Sequence, residues 1–263
     1  MLSYCGGGIM TKIKKANIKK KRKLWFKILK GIMKVRYKRP AFVYLDGKPF
    51  QNSCLILSNH EGTDAPMSLE IYNPAPTRMW GAHEMNSGLK KMYSYQTKVY
   101  YHEKKHWKLG SARIFCLLAS PLTNLFYKGF NLISTYQDAR LKKTIQESVD
   151  AIKEGQCVVI YPEDSTKGYL EKLEAFHPGY LLLAEQCAKQ NIDLPIYVTY
   201  YRKKDKAFIV DKPILFSALK EKYQTREAIS KYLLDRCNIL GQMPFDECFL
   251  RQTRKENKLQ HKK

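Results

Sequence analysis

Three short apolar stretches constrain the fold of this 263-residue chain more than any other feature. Residues 54–57 (Cys-Leu-Ile-Leu) and 157–161 (Cys-Val-Val-Ile-Tyr) are unbroken apolar runs too short for helices, and each predicts a buried strand. Residues 194–201 predict a third strand, and residues 77–82, 132–136 and 207–210 further short ones. Residues 42–45, Asp46-Gly47 and residues 54–57 read as strand, turn, strand. Between these strands the apolar spacing becomes helical at 66–72, at 139–153 (closed by Gly155), at 179–190 (opened by His177-Pro178) and at 217–239. Strands alternating with helices predict an α/β fold, a mainly parallel central sheet flanked by helices. Residues 111–128 are largely apolar with Pro121 in the middle, which predicts a core helix pair or the wall of a groove, too short and broken to span a bilayer.

Charge divides the chain into three parts. The formal net charge is +23, yet the body at 41–250 is nearly balanced. Residues 1–40 carry no acidic residue, and residues 251–263 carry one, Glu256, among six basic ones. The expected organisation is a basic arm with an amphipathic membrane-docking helix at 1–40, an α/β domain at 41–250 and a disordered basic tail at 251–263. Trp25, Ile28, Leu29, Ile32 and Val35 recur at helical spacing with Lys27, Lys30, Lys34 and Lys38 between them, and Pro40 ends the run. Such a helix suits an interfacial anchor on anionic lipid, and equally packing of its apolar stripe against the body. Nucleic acid is the weaker partner, because the arm lacks interleaved aromatics and no nucleic-acid motif is present. Seven cysteines without a C-x-x-C pair point to reduced core residues, a cytosolic compartment and no zinc site. Met10 is the expected native start, since Met1–Ile9 with its Gly6-Gly7-Gly8 differs in character from the rest of the chain.

The chemistry-bearing segment is Ser58-Asn59-His60-Glu61-Gly62-Thr63-Asp64, directly after the first buried strand. An imidazole held against a carboxylate at a sheet rim is a general base. The carboxylate fixes the tautomer and supports the imidazolium, and the imidazole takes a proton from a hydroxyl. His83-Glu84, His102 and His106 have no ligand partners at metal-binding spacing, no G-x-S-x-G elbow surrounds Ser165, and no P-loop is present.

Four segments occur in order: "SNHEGTDAP" at 58–66, "NLISTYQD" at 131–138, "VVIYPEDSTKGY" at 158–169 and "LPIYVTYY" at 194–201. Together they resemble the blocks of the glycerolipid acyltransferase family, whose bacterial type is the lysophosphatidate (1-acyl-glycerol-3-phosphate) acyltransferase. The likeness covers roughly residues 40–215, and the order and spacing of the blocks carry it. It implies a glycerol-3-phosphate acyltransferase-like fold and a transfer of a fatty acyl group from acyl-CoA or acyl-carrier protein to a lysolipid hydroxyl, in phospholipid biosynthesis. No cofactor is implied beyond the thioester co-substrate. His60 would be the base and Asp64 would orient it. Asn59, Gln137, Arg140, Glu163, Ser165 and Lys167 would form the acceptor site, and the protein would work as a peripheral enzyme on the cytoplasmic face of the membrane. The alternatives are an acyltransferase with another hydroxylated acceptor and a catalytically silent lipid-binding protein.

Two departures stand out. Only Glu61, Gly62 and Thr63 separate His60 from Asp64 where the family has four residues; the pair shares a face if the segment winds into one helical turn, and otherwise has to meet by a different route, with Gly62 letting the backbone bend. Gln137 and Thr166 stand where the family places phosphate-gripping arginines, leaving Arg140 and Lys167 as the nearest cations.

Overall fold

A computed structural model describes residues 24–73, 75–164 and 168–260. The basic arm preceding Leu24, Ser165 and Lys167 lie outside the described residues. Eight strands form one mixed, mostly parallel sheet: β1 (Ala41–Tyr44), β2 (Leu55–Ser58), β3 (Thr77–Ala82), β4 (Ile133–Thr135), β5 (Cys157–Ile160), β6 (Pro195–Arg202), β7 (Ala207–Val210) and β8 (Ile214–Leu215). The order across the sheet is β1-β7-β6-β2-β5-β3-β4, with β8 paired to β6. Strands β6, β2, β5, β3 and β4 run parallel, β7 and β8 are antiparallel to β6, and β1 is parallel to β7. The apolar runs are therefore central strands. Ile56 and its neighbours Leu55 and Leu57 point to opposite faces, and all three are fully buried.

Helices cover both faces. On one side α6 (Leu141–Lys153), α7 (Leu181–Ala188), α8 (Phe216–Lys222) and α9 (Arg226–Gln242) close a core with Leu55, Leu57, Val158, Ile160, Ile196 and Val198. On the other, α1 (Leu24–Arg36), α2 (Asp64–Tyr72) and α5 (Leu109–Phe130) pack on Ile56, Val159 and Tyr197. Between β3 and α5 the chain forms α3 (His83–Asn86), α4 (Leu89–Tyr95) and a π-helical segment, Gln96–Lys104.

The strand, turn, strand reading of residues 42–57 is seen as β1, a turn at Asp46-Gly47 with Gly47 at φ 71°, and β2, with β7 and β6 lying between the two strands. Three expectations are corrected. The single helix over 217–239 is two, α8 and α9, the second starting at Thr225, whose hydroxyl accepts from the Ala228 N–H at 3.1 Å. Residues 111–128 lie in one continuous helix, α5, with Pro121 inside it, and only one narrow side is buried.

The tail is the third. Residues 251–260 are not disordered but belong to α10 (Glu247–Gln260), which covers the outer edge of β1. Leu250 packs on Ala41 and Val43, and the Phe42 N–H donates to Asn257 Oδ1 at 2.7 Å. An open edge would expose that donor, so α10 satisfies the sheet where pairing stops. Asn257→Leu leaves the buried N–H without an acceptor and is expected to cost about 1–3 kcal/mol in urea denaturation. An unchanged midpoint would mean that α10 does not latch the edge.

Candidate functional site

The parallel strands β6, β2 and β5 lie side by side and end on the same rim, the usual crevice of an open α/β sheet. Residues just past their ends are Lys203, Asn59-His60 and Tyr161-Pro162-Glu163. Asn59 is buried and clamped to β6: its Nδ2 donates to the Tyr201 carbonyl at 3.0 Å and its Oδ1 accepts from the Tyr201 N–H at 2.6 Å. Asn59, expected to touch substrate, thus spends its amide on backbone and positions His60 instead. Glu163 is buried and its Oε1 accepts the His60 backbone N–H at 3.0 Å. The chain at the imidazole is therefore tied to both flanking strands, to β6 through the Asn59 side chain and to the end of β5 through the Glu163 carboxyl.

The His60 ring stacks on Tyr169 (centroids 5.1 Å apart, planes 17° apart) and meets the edge of Tyr161 at 4.9 Å. His60 Nδ1 and Tyr161 Oη are buried and have no hydrogen-bond partner among the described residues. Burial drives the His60 pKa down to about 4, with Lys104 and Lys105 pushing the same way against backbone groups of Gly62 and His60, so the imidazole is neutral at pH 7. Burial also raises Glu163 to about 7, against the His60 N–H and Lys104, with Glu61 adding to the rise.

Asp64 does not meet His60 across a helical turn. Glu61 at φ 41° and Gly62 at φ 65° are consecutive left-handed residues, which turn the chain before α2 begins. Among the described residues no hydrogen bond or ion pair joins Asp64 to His60. Asp64 Oδ2 instead lies 3.2 Å from Lys203 Nζ, with Glu61 3.9 Å from the same ammonium.

His60 lines a cavity of about 760 Å³ that runs between α1, α2, β3 and α5. Its walls include Leu29, Met33, Phe126 and Phe130 on the apolar side, and Tyr37, Tyr95, Tyr100 and Tyr127. Gln137 and Arg140 are not among its lining residues. The Arg140 guanidinium pairs with Asp138 at 2.6 Å on the surface and covers the Tyr136 ring at 4.4 Å. Among the described residues the lysine lining the cavity is Lys104, from the π-helical segment, and Lys105 lies 5.5 Å over Tyr169, the ring stacked on His60. The Lys-interleaved tyrosines at 93–101 carried a legible signal for this wall, an aromatic cluster beside a basic run, that the motif spacing did not absorb. No protein-family model and no curated protein matches this chain.

Between about pH 4.5 and 7 the folded state retains a proton on Glu163 that the unfolded chain releases, so the stability this residue contributes falls as pH rises through that window. Glu163→Gln keeps the acceptor for the His60 N–H without the buried charge. Its melting temperature relative to wild type is expected to rise between pH 5 and pH 8, by up to about 3 kcal/mol of stability. A pH-independent difference would show that the carboxyl is not held protonated.

Proposed function

We propose that the protein is an acyltransferase of the glycerolipid type, moving a fatty acyl group from acyl-CoA or acyl-carrier protein to a lysolipid hydroxyl at the cytoplasmic face of a membrane. The observation that carries this reading is a neutral, buried imidazole lining a long apolar cavity at the carboxyl ends of β2 and β5. The fold is compatible with the glycerol-3-phosphate acyltransferase type, with the Asn-His and Tyr-Pro-Glu segments side by side as that resemblance requires. A cavity of this volume accommodates a lipid chain, and a wall that joins an apolar side to tyrosine hydroxyls, His60 and Lys104 suits a ligand with an acyl chain and a polar head.

In the proposed reaction His60 accepts the acceptor's hydroxyl proton as its oxygen attacks the thioester carbonyl. The tetrahedral intermediate collapses, the C–S bond breaks, and the thiolate takes the proton back from the imidazolium. Tyr161 Oη, buried beside the imidazole, is a candidate donor to the reacting oxygen. Lys104 supplies positive charge for an anionic acceptor, in place of the arginines absent from positions 137 and 166.

An imidazole with a pKa near 4 is a feeble base, and full activity requires a carboxylate at its free nitrogen. Asp64, released from Lys203, is the group within the same turn that can supply it. Lys203→Met is expected to raise the His60 pKa, read by histidine NMR titration; an unmoved value would leave Asp64 outside the dyad. The unformed dyad also favours a second reading, a catalytically silent lipid binder. Turnover of a long-chain acyl-CoA with a panel of lysolipids decides between them: His60→Ala is expected to cost at least about 100-fold. Wild-type protein without turnover on any acceptor would sink the enzyme reading.

A further inference from the structure

Helix α5 presents Ile114, Leu117 and Leu118 to solvent at 69%, 69% and 78% exposure, with Phe115 and Leu125 beside them. Its inner side packs on the body: Phe26 of α1 meets Phe126 and Phe130 at 5.8 and 6.0 Å, and a Cβ at Gly129 would lie 2.0 Å from the Phe26 ring. Helix α1 turns Phe26 inward and Leu24, Ile28, Ile32 and Val35 outward, while Lys30 ties it to Glu70 of α2 at 3.0 Å. Both helices are thus held against the body and both leave an apolar row uncovered. The two rows meet at the cavity, because Ile32 (64% exposed) and Leu122 (63% exposed) are at once surface residues and lining residues of the space that reaches His60.

Charge identifies what covers this surface. Lys27, Lys34, Arg36, Lys108, Arg113 and Lys128 are exposed on the two helices and at their ends. No acidic residue occurs in 1–45 or between Glu103 and Asp138. Two copies meeting face to face would bring these cations together, at an electrostatic cost. An apolar strip fringed by cations matches a leaflet with anionic headgroups and hydrocarbon beneath. Helix α5 has the length and composition to cross a membrane, but Ala112, Cys116, Ser120, Phe126 and Phe130 are buried against the protein, which favours a place along an interface over a span.

We infer that the outer faces of α1 and α5 together seat the protein on an anionic leaflet, and that a lipid chain passes from the leaflet between Ile32 and Leu122 into the cavity. The contact expected from the sequence was the basic arm and α1 alone. The surface itself is independent of the acyl-transfer reading; the chain's destination beside His60 rests on it.

The test uses the full chain with vesicles of phosphatidylglycerol and phosphatidylcholine. Leu117 and Leu118 do not line the cavity, so Leu117→Glu/Leu118→Glu, checked for folding by circular dichroism, is expected to weaken co-sedimentation at least about tenfold. Turnover of a dispersed, short-chain acceptor is expected to persist. Undiminished vesicle binding would overturn the surface, as would a wild-type dimer that the double variant converts to monomer. For chain entry, Trp25→Phe/Trp80→Phe/Trp107→Phe with Phe126→Trp leaves a single tryptophan, at a residue that lines the cavity from its α5 wall. Vesicles with lipid brominated near the chain terminus are expected to quench it; bound protein without quenching would overturn entry. Neither readout needs catalysis, so binding and quenching in a protein without turnover would sustain this inference while ending the enzymatic one.

Discussion

The double hydrogen bond between the Asn59 amide and the Tyr201 backbone is the constraint on which the site depends. At the end of β2 the ladder stops, and a backbone leaving a sheet has donors and acceptors to satisfy. Asn59 continues the pairing to β6 with its side chain, which keeps the chain in register for one residue past the strand. His60 is then delivered at a fixed place, and Glu163 takes its N–H from the β5 side. An Asp at position 59 would accept from Tyr201 but could not donate to it, and it would bury a charge. The amide is needed because it does both.

Burial at this rim pushes two ionisable groups in opposite directions. A neutral imidazole and a carboxyl near 7 are what a low-dielectric pocket selects when each charged form loses its water. Lys104 and Lys105 reinforce the first shift, and Lys104 works against the second. Burial, with the cations adding to it, thus keeps the imidazole unprotonated at neutral pH, the state needed to accept a proton. They also lower its affinity for that proton, and a negatively charged ligand beside Lys104 would relieve the effect. Ligand charge and base strength are coupled through the same two side chains.

The central strands, both helix layers' main members and the place of His60 at a strand end were legible because each rests on local composition or spacing, whereas Glu163 entered only through the family resemblance. Unbroken apolar runs such as 54–57 have few places to go in a chain of this size other than the middle of a sheet. Strand order was not legible: β1 joins β7 across more than 150 residues, and nothing in Phe42–Tyr44 names its partner. The tail misled through composition, since its charges lie on the outer side of α10 while Leu250, Thr253 and Asn257 form a narrow buried stripe. Asp64 misled through spacing. An i, i+4 pair shares a face only if every residue between is right-handed helical, and Glu61 and Gly62 are both left-handed.

Residues 111–128 illustrate why an apolar run does not name its own environment. The same Leu, Ile and Phe content would suit a core helix, a groove wall or a membrane contact, and α5 serves as the wall while leaving its other sides uncovered. Pro121 is compatible with this because it sits on the exposed side, where its ring crowds no packed neighbour of the body. Placement of the proline away from Phe26, Phe126 and Phe130 therefore fixes which side of the helix packs and which is free to face a different solvent.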